Sequence, residues 1–396
     1  MSSRLIVNSI RHTGASGDAV TLANDGTCTA NITNNLSNRN KVINGSMICS
    51  QRGTTFSPTG TNQIYTLDRF QHVTTGGADG DCTVTQSTDA AVGFKNSYKI
   101  TPDATNTPTG GGNVTIRHQI EGQDLQDLAY GTSSAKSLTI SFYAKTASAN
   151  SGDQYTLCLF YSRQDATQKT VTVAFTPTST YQRFSFTFAG DTDATYGMRN
   201  DNGSGMTLVW VLAAGPNDIT AAKPTWEVDG GYFRGVTGQS NFMDNTSNEF
   251  YLTGVQLEVD HTGSGKATDF EHRSFAHELA LCQRYYFNIK GNNDDFAGCS
   301  GYAVWHDVQW FSVLYPVPMR SQPTYTGTST AARFYSHNAS NNFNLNQLVT
   351  NTNTADTSSF KSMRLFNNGT AGSSEDGLGG ELQFQATGTM EFSSEL

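Results

Sequence analysis

Two groups of residues carry side chains suited to holding a sugar. Trp305, His306, Asp307 and Trp310 form one set; Trp226, Tyr232, Phe233 and Arg234, beside Gly230-Gly231, form the other. An indole or phenol face stacks on pyranose C–H groups, while carboxylate, imidazole or guanidinium groups bond the hydroxyls. Apolar neighbours mark Trp310 as a core residue rather than a platform, whereas the second set sits in a glycine-rich loop. Catalysis has less support. The sequence holds no G-x-S-x-G elbow, no H-E-x-x-H zinc helix and no P-loop. His306 and Asp307 are adjacent, so on a strand they point to opposite faces and make no dyad. No catalytic residue is assigned, and the expectation is a non-enzymatic protein.

Metal ligation is equally sparse. Asp191 and Asp193 begin like a calcium loop, but Tyr196 stands where glycine is needed and Asn202 where the bidentate glutamate belongs. Cys28, Cys49, Cys82, Cys158, Cys282 and Cys299 are scattered, with no C-x-x-C and no Cys/His cluster at ligand spacing. They read as small buried hydrophobes, with no zinc site expected.

The elements that must position these residues are strands. Hydrophobic residues make up 36% of the 396-residue chain and charged residues 15%. Thr, Ser, Asn and 38 glycines fill the difference, while 23 Phe and 16 Tyr set the chain apart from disordered sequence. Thr and aromatics favour strands; Gly and Asn favour the turns between them. A net charge of −9 argues against a nucleic-acid surface, which needs a basic stripe. No apolar run is long enough to cross a membrane as a helix. The N-terminus lacks a signal-peptide core, so synthesis in a host cytoplasm without export by the usual route is expected.

Alternation with period two recurs. Leu138, Ile140 and Phe142 make one face; Tyr155, Leu157, Leu159 and Tyr161 another; Val171, Val173 and Phe175, then Phe184, Phe186 and Phe188, continue it. Thr207–Leu212 reads as a strand buried on both faces, and Phe250–Val259 as a long closing strand. Many short strands divided by Gly/Asn/Asp turns predict an all-β jelly-roll β-sandwich. Phe275, Leu279, Cys282 and Tyr286 recur at helical spacing, with Ser274 placed to cap. The run Ala303–Tyr315 is strand-like until Pro316 and Pro318 break it. The division expected is an N-terminal stem at 1–43, a jelly roll at 44–265, a linking helix at 266–290 and a smaller C-terminal β domain at 291–396.

Three groups of strings carry a resemblance. Asn44-Gly45-Ser46-Met47 is followed by Gln51-Arg52-Gly53-Thr54; Asp68-Arg69-Phe70 comes next; Leu252-Thr253-Gly254-Val255-Gln256-Leu257-Glu258 precedes Phe270-Glu271-His272-Arg273 and Leu279-Ala280-Leu281-Cys282-Gln283-Arg284-Tyr285-Tyr286. In this order the chain resembles bacteriophage tail-fibre and appendage proteins of the marine-phage type, where similar strings bracket a module shaped like a carbohydrate-binding jelly roll. The resemblance covers about residues 1–290. It implies a homotrimer, an N-terminal segment (1–43) that attaches to the phage tail or another virion protein, and distal domains that contact host surface glycan; it implies no nucleic acid partner and no membrane insertion. The place it implies is the virion, as a tail appendage. A capsid head fibre or decoration protein is the alternative, and a glycan depolymerase a further one, although no repeating β-helix period is visible. Asp68 and Arg69 offer an ion pair pinning the start of the sandwich to its last strand. No cofactor is called for; Glu258 near Asn44 is the place for the structural Ca²⁺ that such jelly rolls hold.

Overall fold

The computed structural model describes residues 7–26, 28–30, 38–79, 81–228, 235–260, 263, 265–305, 308–327, 332–335, 343–344, 348–350, 362–367, 379–384 and 386–396. The chain is all-β, and its centre is a jelly-roll β-sandwich. One antiparallel sheet runs Gln182–Phe188, Leu138–Thr146, Phe250–Val259, Ser97–Pro102, Cys82–Ser87, Thr55–Phe56. The facing sheet runs Glu227–Val228, Gln168–Phe175, Tyr155–Ser162, Ser204–Ala214, Asn113–Glu121, Phe70–Thr74, Gln63–Tyr65.

Alternation decides which side chains enter the space between them. Leu138, Ile140 and Phe142 from one sheet meet Tyr155, Leu157, Leu159, Trp210 and Leu212 from the other in a single core. Trp210 stands edge-on to Phe142, 5.6 Å between ring centres. The strand Ser204–Ala214 is buried on both faces, as its continuous apolar run predicts. Its outer face packs Val209 and Val211 against Cys158 and Phe160. The residues Val236 and Gln239 lie over this outer surface: the Val236 N–H donates to Thr156 Oγ1, and the Gln239 amide to the Val211 and Leu212 carbonyls.

A helix, Phe275–Gln283, follows the sandwich, with Ser274 accepting from the His277 N–H as its cap. Its buried residues are Glu278 and Cys282, whereas Phe275 is exposed. The expected face of Phe275, Leu279, Cys282 and Tyr286 is therefore rotated, and Tyr286 already belongs to the next strand. The reason is polar: Glu278 turns inward to accept from the Asn44 N–H and from Arg273.

Beyond the helix a second core forms around Phe287, Phe311, Val313, Leu365, Leu382 and Phe392. A three-stranded sheet (Tyr286–Gly291, Gly388–Ser393, Thr324–Gly327) contributes to it, together with a seven-stranded sheet centred on Gly379–Phe384, Phe296–Trp305 and Val308–Leu314. The run Ala303–Tyr315 is thus two antiparallel strands rather than one; Trp305 pairs with Val308. Before the sandwich, Ser9–Ile10, Val20–Leu22 and Cys28–Ala30 pair into a small three-stranded sheet. No described helix is long and apolar enough to cross a membrane.

Candidate functional site

Of the residues proposed for sugar contact, Trp226 is half-buried. Its Nε1–H donates to the Ala189 carbonyl at 2.9 Å, and its ring stands edge-on to Tyr161 and Tyr130, 5.1 and 5.5 Å between centres. These contacts make Trp226 a wall of the sandwich end rather than an open platform. Tyr232, Phe233, Arg234, His306 and Asp307 lie outside the described residues, as does the side chain of Trp305. Trp310 departs from the core reading. It alternates with buried Phe311 and Val313, so it lies on the outer face of its sheet, half-buried and edge-on to Tyr302 at 5.8 Å. Tyr302 and Leu314 are exposed beside it. An apolar run does not distinguish a strand covered on one face from one covered on both.

A polar cleft of about 700 Å³ opens at the end of the sandwich, lined by Arg163, Gln164, Gln168, Arg199, Asn200 and Asp201 among others. Two loops build it. The hairpin joining Tyr155–Ser162 to Gln168–Phe175 turns at Ala166, whose φ is 65°. Asp165 holds that turn by accepting from the Thr167 N–H at 3.1 Å. The second loop docks on the first through backbone bonds, Gln164 N–H to Gly197 O and Arg199 N–H to Ser162 O.

Arg163 is the distinctive group. Its side chain is only 5% exposed, its guanidinium lies 4.0 Å from both Asp165 and Asp193, and it sits 4.8 Å from the centre of the Tyr196 ring. Its Nε and Nη2 make no hydrogen bond within the chain, nor does the Oε1 of neighbouring Gln168. Buried donors and acceptors without hydrogen bonds cost free energy; here Nε and Nη2 face the Asp165 and Asp193 carboxylates at 4.0 Å, which offsets part of that cost. Asp201 is held by Arg199, whose hydrogen bond draws its carboxyl below the ordinary value. Asp191 and Asp193 share Lys169 at 2.7 and 2.9 Å, so an ammonium group already stands between the two carboxylates whose spacing imitates a calcium loop. Thr195 and then Lys169 hold Asp193 well below the usual carboxylate range.

The cleft was not visible in the sequence. Arg163-Gln164-Asp165-Ala166-Thr167-Gln168 reads only as a polar turn; its wall comes from a loop some thirty-five residues away in the chain.

The strings that carry the family resemblance converge elsewhere, at the junction of sandwich, helix and C-terminus. The Asn44 side chain bonds the N–H and C=O of Cys49 and the carbonyl of Asp68. Val255 N–H donates to the Gly45 carbonyl. Asp68 and Arg69 do not pair with each other. Arg69, with φ 69°, points its guanidinium into the interior, paired with Glu395 and 3.5 Å from the centre of the Tyr285 ring. Asp68 faces Arg52 at 3.5 Å. Glu121 receives Arg284 at 2.8 Å and Tyr285 at 2.6 Å; burial raises its carboxyl, and these bonds overcome that and bring it below the ordinary value. Calcium does not fit here: Glu258 is spent on Thr268 and Arg39, and the Asn44 amide on backbone groups.

No family model matches the chain, and no curated protein matches it. Solved structures share partial likeness. The enzymatically active domain of tailspike protein 4 of bacteriophage CBA120 aligns at 8% identity over 56% of this chain and 21% of its own, TM-score 0.29. The family 11 carbohydrate-binding module of a cellulosomal cellulase of Clostridium thermocellum aligns at 12% identity over 55% of this chain and 99% of its own, TM-score 0.28. A xylan-binding domain from Paenibacillus barcinonensis aligns at 12% identity over 52% of this chain and 92% of its own, TM-score 0.25. Likeness at this level establishes neither a family nor a ligand for this chain.

Proposed function

We propose that this chain is the subunit of a homotrimeric bacteriophage tail fibre that attaches through residues 1–43 and contacts host surface glycan without cutting it. In this reading residues 44–265 are a glycan-contacting jelly roll, 266–290 a linking helix and 291–396 a second β domain. The ordered strings from Asn44 to Tyr286 support the appendage assignment. The observation that carries glycan contact is the polar cleft itself, where Arg163, whose Nε and Nη2 make no hydrogen bond and face Asp165 and Asp193 at 4.0 Å, lines the wall with Gln164, Gln168, Arg199 and Asn200. Hydroxyl-rich ligands satisfy such groups, and three weak sites per fibre gain affinity through multivalency. Among the described lining residues Asp201 is the carboxylate, tied to Arg199, whereas glycoside hydrolysis takes two that face each other. That supports binding without cleavage.

The test is an array of bacterial surface oligosaccharides probed with the full chain and with Arg163→Ala. Loss of charge-assisted hydrogen bonds worth ~1.5–3 kcal/mol weakens binding of a captured glycan by about tenfold or more. An array without any hit, hits that Arg163→Ala leaves unchanged, or release of reducing ends each overturn the reading. An electron-microscopy map of the particle with the chain rooted on the capsid shell overturns the tail assignment.

A further inference from the structure

We propose that Cys49, Asp68 and Cys282 form a zinc site that pins the helix Phe275–Gln283 to the start of the β-sandwich. All three residues are buried, and their two sulfurs and a carboxylate oxygen lie within 4.8 Å of one another. Zinc bonds thiolate at ~2.3 Å and carboxylate at ~2.1 Å, so a tetrahedron asks for donors roughly 3.5–3.8 Å apart. Closing on an ion takes movements of about an ångström. Two thiols select zinc over calcium or magnesium, which take oxygen ligands.

The chain positions the donors before any ion arrives. Asn44 holds both backbone groups of Cys49 and the carbonyl of Asp68, each at 2.9 Å, so one side chain places two of the three ligands. The Gln51 N–H, at 3.2 Å, and Arg52, at 3.5 Å, orient the Asp68 carboxylate. Such outer-shell bonds are what fix metal ligands. The helix delivers Cys282, while the buried Glu278 one turn earlier is held by the Asn44 N–H and Arg273, so the three residues leave one position of a tetrahedron for an outside ligand. Binding converts two thiols to thiolates and releases two protons, with no change of oxidation state. Spacing-based reading misses this group because its members come from three distant segments.

The full chain, stripped by a chelator under reducing conditions, is titrated with Co²⁺. The expected result is a thiolate-to-cobalt charge-transfer band in the near ultraviolet that saturates at one ion per chain and is erased by Zn²⁺. Cys49→Ser and Cys282→Ser remove the band, Cys158→Ser keeps it, and Asp68→Asn weakens cobalt binding by about tenfold or more. Wild-type chain without the band, or a band that survives both serine substitutions, overturns the site. So does a thiol count showing Cys49 and Cys282 joined as a disulfide in the chain as purified. The first readout uses the unmutated chain, so a variant that fails to fold does not block the test.

Discussion

At the scale of single residues, the junction shows how a fold places ionisable groups where water does not reach. Arg69 is buried with Glu395 and Tyr285, and His118 is buried beside it. The imidazole Nε2 lies 3.0 Å from the Ile43 carbonyl, which needs an N–H there, and Phe70 packs edge-on at 5.0 Å. Burial first, and then the charge of Arg69, hold His118 well below its ordinary value of 6.5. The folded chain keeps this ring neutral, whereas the unfolded chain protonates it as pH falls through about 6.5. Below that pH the unfolded state binds the extra proton, so stability falls by ~1.4 kcal/mol per pH unit. His118→Gln keeps a donor for Ile43 and has no such proton. Urea unfolding at pH 7 and pH 5 is expected to show the wild type losing about 2 kcal/mol more than the variant. Equal losses would mean that the ring titrates normally.

At the scale of elements, most of the sandwich was legible because period two is a local signal. Tyr155, Leu157, Leu159 and Tyr161 all enter the inter-sheet core, as the alternation says, although Cys158 and Phe160 on the opposite face are buried as well. The buried face of the helix differs from its apolar spacing because Glu278 is turned inward by the Asn44 N–H, 234 residues away, and by Arg273 just before the helix, which no apolar spacing rule sees. Gly254 shows what lay hidden inside a family string. Between Leu138–Thr146 and Phe250–Val259 the register shifts, so that Gly254 and Val255 together oppose Phe142. This is a β-bulge, and Gly254 takes φ 60° there. A methyl group at Gly254 meets the rings of Phe94 and Tyr143. Gly254→Ala therefore combines a left-handed backbone penalty with overpacking, an expected loss of about 2–4 kcal/mol. Gly152, at φ 91° in an exposed turn with open space around it, is the control. Its alanine variant meets only the backbone term, about 1–2 kcal/mol. Equal thermal shifts for the two variants would show that the bulge does not constrain the sandwich.

At the scale of the whole molecule, the segment before the sandwich poses a problem that one chain does not solve. Among the described residues the first buried one is Asn40. Among the described residues, none packs as a core beneath the small sheet of Ser9–Ile10, Val20–Leu22 and Cys28–Ala30, and Ile10 and Leu22 are 53% and 40% exposed. Strands this short do not persist alone in water. In the tail-fibre reading, packing against the same sheet of two further copies covers these side chains. The tail-fibre reading therefore places trimer formation in the stem, with the sandwich core independent of it. Light scattering after size exclusion should give the full chain three times its 42.8 kDa mass. Deletion of residues 1–37 should give a monomer whose unfolding midpoint stays unchanged, since the buried core begins at Val42. A truncated chain that stays trimeric would move the contact to the open aromatic face of Tyr302, Trp310 and Leu314. A full chain that runs as a monomer would remove the basis for multivalent attachment, and a single cleft would then have to bind its glycan unaided.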